Sequence, residues 1–170
     1  MIRKKKLYAR PRKAYEISRI KEENALMKEY GLKNKKEIWK TQAKVNYFRR
    51  RAKALAKAPV EEQNVFFGKL QNLGLDTKSI ADVLALKIRN LLDRRLPTIV
   101  LRKGLVKTMG QARQYVVHKK VLIKGSTVNS PSYIVPVTEE KSISIKVKAA
   151  KPKPAVQEAK PVESKTEATA

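Results

Sequence analysis

Residues able to do covalent chemistry are scarce in this chain, and residues able to bind are plentiful. There is one histidine, His118, and no cysteine. A disulfide scaffold and a thiolate zinc site are thereby excluded, and a histidine-based metal site lacks ligands, so no metal and no cofactor is expected. Carboxylates stand side by side at Glu22-Glu23, Glu61-Glu62 and Glu139-Glu140. Neighbours in sequence do not converge on one point, so these pairs read as solvated rather than as an acid and its base. Asp76, Asp82 and Asp93 read as caps or as partners for basic side chains. Neither a Gly-x-x-x-x-Gly-Lys loop nor a Gly-x-Gly-x-x-Gly turn is present. His118 falls at the end of a predicted helix, beside Lys119 and Lys120, where the macrodipole favours it. No catalytic residue is assigned, and the chain is not expected to be an enzyme.

Binding chemistry is abundant. Lys and Arg number 40 against 15 Asp and Glu, a net charge of +25. Such a charge repels itself in a compact fold unless a polyanion neutralises it. The densest constellation is Arg94-Arg95, Arg102-Lys103, Lys107-Thr108, Gln111, Arg113-Gln114, His118-Lys119-Lys120 and Lys124, with Tyr133 downstream. On a helix, Gln111, Gln114 and His118 share one face. Thr108 as a cap would leave backbone N–H groups at a helix start, a ready phosphate site. Arginine forks and amides on such a face suit the irregular backbone and splayed bases of a folded RNA. A second constellation is Arg49-Arg50-Arg51, flanked by Tyr47 and Phe48. Three successive arginines cover most of a helix circumference, so they point in different directions. A third is the N-terminal block Arg3-Lys4-Lys5-Lys6 with Arg10 and Arg12, interleaved with Tyr8 and Tyr15. Pro11 opposes a helix there, and the stretch reads as an arm that lies along phosphates.

The elements that carry these residues follow from periodicity and caps. Residues 16–30 read as a helix closed by Gly31. Asn34 to Glu37 has capping-box spacing and opens a longer helix ending before Pro59. Its apolar stripe is Ile38, Trp39, Val45, Phe48, Ala52 and Leu55, and Lys40, Lys44, Arg50, Arg51 and Lys57 decorate the rest. Residues 60–73 form a third helix with Gly74 past its end, and residues 76–95 are helical in two pieces. Pro97 starts a short helix closed by Gly104. Thr108 to Gln111 repeats the capping-box spacing and opens a helix to about His118. The period then changes. Val121 to Ile123, Thr127-Val128, Tyr133 to Val135 and Ser142 to Val147 read as strands, with turns at Gly125, Pro131 and Glu139 to Lys141. Residues 149–170 hold no aromatic, Leu or Ile and read as a disordered tail. The charge lies outside that tail, with +15 in residues 1–60 and +9 in residues 61–148.

The fold class is therefore α+β. A basic arm (1–15) and a mainly helical domain (16–93) precede a small two-helix, antiparallel-sheet module (94–148) and the tail (149–170). No run of 18 apolar residues is present, so no membrane partner is expected, nor is a homo-oligomer. A cytoplasmic protein is the simplest reading.

The stretch Arg94-Arg95-Leu96, Gly104, Thr108, Ala112-Arg113-Gln114, Val121 to Gly125, Val128-Asn129 and Pro131-Ser132-Tyr133 resembles the small RNA-binding module named after the fourth small-subunit ribosomal protein, here S-four. Tyr30 to Lys40, Tyr8 with Pro11-Arg12, and Leu86 to Thr98 resemble the archaeal and eukaryotic form of that family. The resemblance runs in order over about residues 7–148. It implies a structural constituent of the small ribosomal subunit that binds ribosomal RNA at a multi-helix junction early in assembly. It also implies neighbouring ribosomal proteins as partners, a place near the mRNA entrance and a link to decoding accuracy. On that analogy Arg94, Arg95, Arg102, Lys107, Thr108, Gln111, Arg113, Gln114, His118, Lys119 and Lys124 face RNA. Met109 stands where many such modules have an arginine. Three rival readings stay open. An RNA-modifying enzyme carrying this module needs a catalytic domain that these residues leave no room for. A chromatin-like DNA binder would not distinguish duplex DNA from junction RNA. A non-ribosomal assembly factor would leave before the subunit matures.

Overall fold

The first long helix starts where its cap expects and its stripe turns inward, but its N-terminal glutamate does something else. The computed structural model describes residues 6–146. The expected contacts Arg3, Lys4 and Lys5, the tail at 149–170 and the last residue of the expected final strand, Val147, lie outside them. Helix α1 spans Ile17–Glu29 and α2 spans Lys35–Leu55. Asn34 caps α2 by accepting from the Lys36 backbone N–H at 2.9 Å. The reciprocal half of the expected capping box does not form, because Glu37 reaches Arg95 and Arg113 instead. Ile38, Val45, Phe48, Ala52 and Leu55 bury the α2 stripe, as its spacing predicts.

Helix α3 is Val60–Asn72, α4 is Ile80–Ala85 and α5 is Ile88–Asp93. Ser79 and Asp82 form a full capping box on α4, so one of the aspartates read as a cap is one. Val45, Phe48 and Ala52 of α2 meet Phe67 and Leu70 of α3, and Val83, Leu86 and Leu91 complete this cluster. A smaller cluster joins Tyr30, Leu32, Ile38 and Leu92.

The C-terminal part begins with α6 (Leu96–Arg102) and α7 (Met109–Val117), followed by β1 (Val121–Ile123), β2 (Ser126–Thr127), a one-turn α8 (Val137–Glu140) and β3 (Ile143–Ile145). The sheet has the order β2-β1-β3, antiparallel throughout, with Ile123 opposite Ser126 and Ile143. Leu96, Ile99, Val100, Ala112, Val116, Val121, Val135 and Ile143 are its buried core.

Two expected elements differ. Tyr133 to Val135 is not a strand of the sheet. It is laced to the start of α6, where Leu96 N–H donates to the Tyr133 carbonyl (2.9 Å) and Val135 N–H to the Arg94 carbonyl (3.0 Å). Where a turn is expected at Glu139 to Lys141, Glu139 and Glu140 instead belong to α8, half-buried and paired rather than solvated, and the turn follows at Lys141. Glu23 is likewise buried instead of solvated: it accepts from Arg19 (2.8 Å) and the Trp39 indole (2.9 Å). Burial opposes its charge, but these hydrogen bonds outweigh that and hold its pKa below the ordinary value.

The arm is also more ordered than its composition suggests. Arg19 donates to the carbonyls of Lys13 and Ala14 at 2.7 and 3.1 Å, and the Tyr8 ring lies 6.1 Å from that of Trp39. Over residues 6–15 the arm is therefore anchored to α1 and α2.

Candidate nucleic-acid interface

Helix α7 carries the densest set of expected contacts. Thr108 Oγ1 accepts from the Gln111 N–H at 3.3 Å, which fixes the helix start. The Gln111 side-chain oxygen accepts from Lys107 N–H (3.1 Å), one residue before the position a capping box would use. Ala112 and Val116 turn into the core, while Gln114 and His118 are exposed and Gln111 is half-exposed. This is the single face that the spacing of the three polar residues implies.

The end of α7 is distinctive. Lys119 N–H bonds the Val116 carbonyl and Lys120 N–H bonds that of Tyr115, the pair of bonds of a Schellman turn. That turn needs a left-handed residue, and here it is Lys119, at φ 56°. Lys124, in the β1–β2 hairpin, is also left-handed, at φ 49°. Both side chains are exposed. Each lysine holds a conformation that glycine would adopt at lower cost, by about 1–2 kcal/mol. Lys120 lies over the Tyr115 ring, 4.8 Å from its centroid. Arg102, Lys107 and Thr108 are exposed as well.

Not all expected contacts reach the surface. Arg94 and Arg95 are 8% and 6% exposed, and the expectation that they face RNA is corrected. Arg94 donates to Glu140 (3.0 Å) and to the Val135 carbonyl (3.0 Å). Arg95 donates to the Pro131 carbonyl (3.1 Å) and to Glu37 (2.6 Å). A guanidinium taken from water must be matched by acceptors, and both find them within the chain, Arg94 through its two terminal nitrogens while its Nε is left without a partner. Arg113 is half-buried and divided. Its fork grips Glu37 at 2.8 and 3.2 Å, so its first duty is structural. Arg49 also turns inward, donating to the Leu86 carbonyl at 2.7 Å, while Arg50 and Arg51 are exposed. Lys6, Arg10 and Arg12 of the arm are exposed.

Glu37 thus joins the two parts of the chain. It lies on α2 and accepts from Arg95, at the head of α6, and from Arg113 of α7. Burial raises its pKa, but the hydrogen bonds from Arg113 and Arg95 prevail and hold it below the ordinary carboxylate value. Met109 packs in the same seam, against both the Tyr30–Leu92 cluster and the C-terminal core. Its Cβ lies 3.3 Å from where a Cβ on Gly31 would sit. A methionine stands at that position because it fills the seam between the two parts.

Carboxylates beside the basic surface serve as internal partners. Glu139 accepts from the Tyr133 hydroxyl (2.7 Å) and from Lys124 (3.3 Å). The first of these bonds lowers the Glu139 pKa and raises that of Tyr133. Asp93 accepts from the Tyr30 hydroxyl at 2.9 Å. Burial and the Asp93 charge push that hydroxyl above its ordinary pKa. Among the described residues no group of three or more metal-ligating side chains is assembled.

One part of the surface was not singled out from sequence. Lys40, Lys44 and Tyr47 stand at i, i+4 and i+7 on the α2 face that flanks its core stripe, and all three are exposed. The signal was present as a second periodicity in the same helix, out of phase with the apolar one.

Residues 94–141 match the family model described as the S4 domain. Over most of its length the chain is similar to curated relatives named small ribosomal subunit protein uS4. One from Halobacterium salinarum is 42% identical over 142 residues, covering 82% of this chain and 84% of the relative. One from Methanococcus aeolicus is 44% identical over 146 residues, covering 82% of each. One from Nanoarchaeum equitans is 40% identical, covering 84% of each. Identity at that level, extending through the helical part as well as the S4 domain, places this chain in the archaeal branch of the uS4 family of small ribosomal subunit proteins.

Proposed function

We propose that this protein is a structural constituent of the small ribosomal subunit that binds ribosomal RNA by stoichiometric contact and catalyses nothing. The observation that carries the reading is the co-occurrence of similarity to uS4 proteins over about four fifths of the chain with an exposed cationic surface on an S4 domain. Its place of work is then the cytoplasm, in the ribosome, with small-subunit RNA and neighbouring subunit proteins as partners. In finer detail, the protein binds a multi-helix RNA junction, nucleates assembly of the subunit body, and lies near the mRNA entrance, where it influences decoding accuracy. Residues 94–148 act as the RNA-binding module and residues 16–93 as a helical domain docked on it.

The proposed contacts are Arg102, Lys107, Thr108, Gln111, Gln114, His118, Lys119 and Lys124 on the module. Lys6, Arg10, Arg12, Arg50 and Arg51 join them from the helical part and arm, with Arg3, Lys4 and Lys5 at its start. Arg94, Arg95, Arg113 and Arg49 support this surface from beneath. Phosphate contacts release counterions and supply most of the affinity, while amides and arginine forks select the junction's shape.

Sedimentation of a cell lysate through a high-salt gradient tests the proposal. The chain should travel with mature small subunits. Recovery only at the top of the gradient refutes it, and recovery only with immature particles favours an assembly factor.

A further inference from the structure

The α2 face that carries Lys40, Lys44 and Tyr47 borders a groove of about 910 Å³, closed on its other side by the arm at Lys6 to Ala9. Four cations line it, Lys6, Lys40, Lys44 and Arg50, and no carboxylate does. Lys40 and Lys44 also line a second hollow of about 350 Å³ that reaches the seam at Arg113 and Ser132. The single carboxylate of that hollow, Glu37, already accepts from two arginines. The cationic lining therefore runs from the arm to the module without a free counter-charge among the described residues. Partial burial depresses the Lys44 ammonium pKa.

Tyr47 stands in the middle of these cations and is 57% exposed. Its ring lies 5.9 Å from that of Phe48, tilted by 56°. An aromatic ring left in water between lysines is not explained by phosphate binding, because phosphates need only the charges. A duplex offers phosphates, and its bases are already stacked on one another. An unpaired nucleotide offers both phosphates and a bare π-face.

We infer that this groove binds an unpaired RNA segment, with a base stacked on Tyr47 and the adjoining phosphates on Lys40, Lys44, Arg50 and Lys6. The inference rests on the proposed RNA-binding function and adds a single-stranded site on the helical part.

Fluorescence anisotropy with the full chain tests it, using an oligouridylate of about twelve nucleotides and a blunt RNA duplex of equal length as probes. Tyr47→Ala should weaken oligouridylate binding about tenfold, with duplex binding changed less than about twofold. Tyr47→Phe should bind the oligouridylate like the parent chain. Lys40→Gln with Lys44→Gln should weaken both probes and flatten the oligouridylate's log–log salt slope by about 1.4. A 4-thiouridine in the probe should crosslink to the α2 peptide containing Tyr47. Parental affinity in Tyr47→Ala, or equal losses on both probes, overturns the inference. Either result leaves the ribosomal reading intact, since that depends on sedimentation with the subunit. Conversely, absence from the subunit with oligouridylate binding retained would overturn that reading alone.

Discussion

At the residue scale, the decisive distinction is between arginines that hold the protein together and cations that are free to hold RNA. Arg94, Arg95 and Arg113 find their acceptors inside the chain, and Glu37 takes hydrogen bonds from two of the three. Glu37→Gln should therefore lower stability by about 2 kcal/mol, read by urea unfolding, because each lost charge-assisted bond leaves a poorly solvated guanidinium. The same residue sets a pH dependence. With its folded pKa held below the ordinary 4.5, the unfolded chain binds more protons as pH falls through that range. Stability from Glu37 is thus present above about pH 4.5 and lost as pH drops through the folded value. In Glu37→Gln the acid limb of a stability–pH curve should be shallower than in the parent. Gln114→Ala should behave oppositely, leaving stability unchanged and weakening junction RNA by roughly 1–3 kcal/mol in a filter-binding titration. Sequence alone could not separate Arg113 from Gln114, since both are polar neighbours on one helix. The difference is that Arg113 faces Glu37 across a gap of 76 residues.

At the element scale, helix ends do much of the positioning. Helices α3, α6 and α7 close with the same pair of backbone bonds, and two of the three use glycine for the left-handed residue. At Gly74 a Cβ would also stand 2.6 Å from the Arg94 guanidinium, so that turn is held open for a buried charge. Gly74→Ala should cost about 3 kcal/mol in thermal unfolding, whereas Gly104→Ala, with open space around it, should cost about 1 kcal/mol. The exception is α7, which ends on Lys119. Lys119→Gly should raise stability by about 1 kcal/mol and weaken junction RNA, a split that a purely structural lysine would not produce. Such ends were legible in sequence at each glycine. The Lys119 turn was not, because nothing about a lysine announces a positive φ. Tyr133 to Val135 misled for a related reason. Its alternation fits a strand, but the backbone partner it found is the start of α6 rather than β1.

At the scale of the whole molecule, the net charge of +25 is arranged as well as accumulated. Glu23, Glu37, Glu139 and Glu140 each bond within the fold, so these four are already engaged and do not compete with phosphate for the free cations. Binding to junction RNA should then depend steeply on salt. Affinity is expected to fall about a thousandfold or more between about 50 mM and about 200 mM monovalent salt, for six or more phosphates neutralised. A titration that stays flat across that range would mean that contacts other than charge dominate.

The sequence by itself determined the class of partner, the order of the elements and the S-four resemblance. Charge, periodicity and capping residues act over a few positions, so a linear reading captures them. Tertiary structure alone decided which basic residues are available. Whether an arginine meets RNA or a glutamate depends on what the fold brings to within hydrogen-bonding distance of it. In this protein those partners come from distant segments, Glu37 for Arg113 and Glu140 for Arg94. A buried charge must find its acceptor wherever the chain happens to return, and that return is a property of packing rather than of spacing.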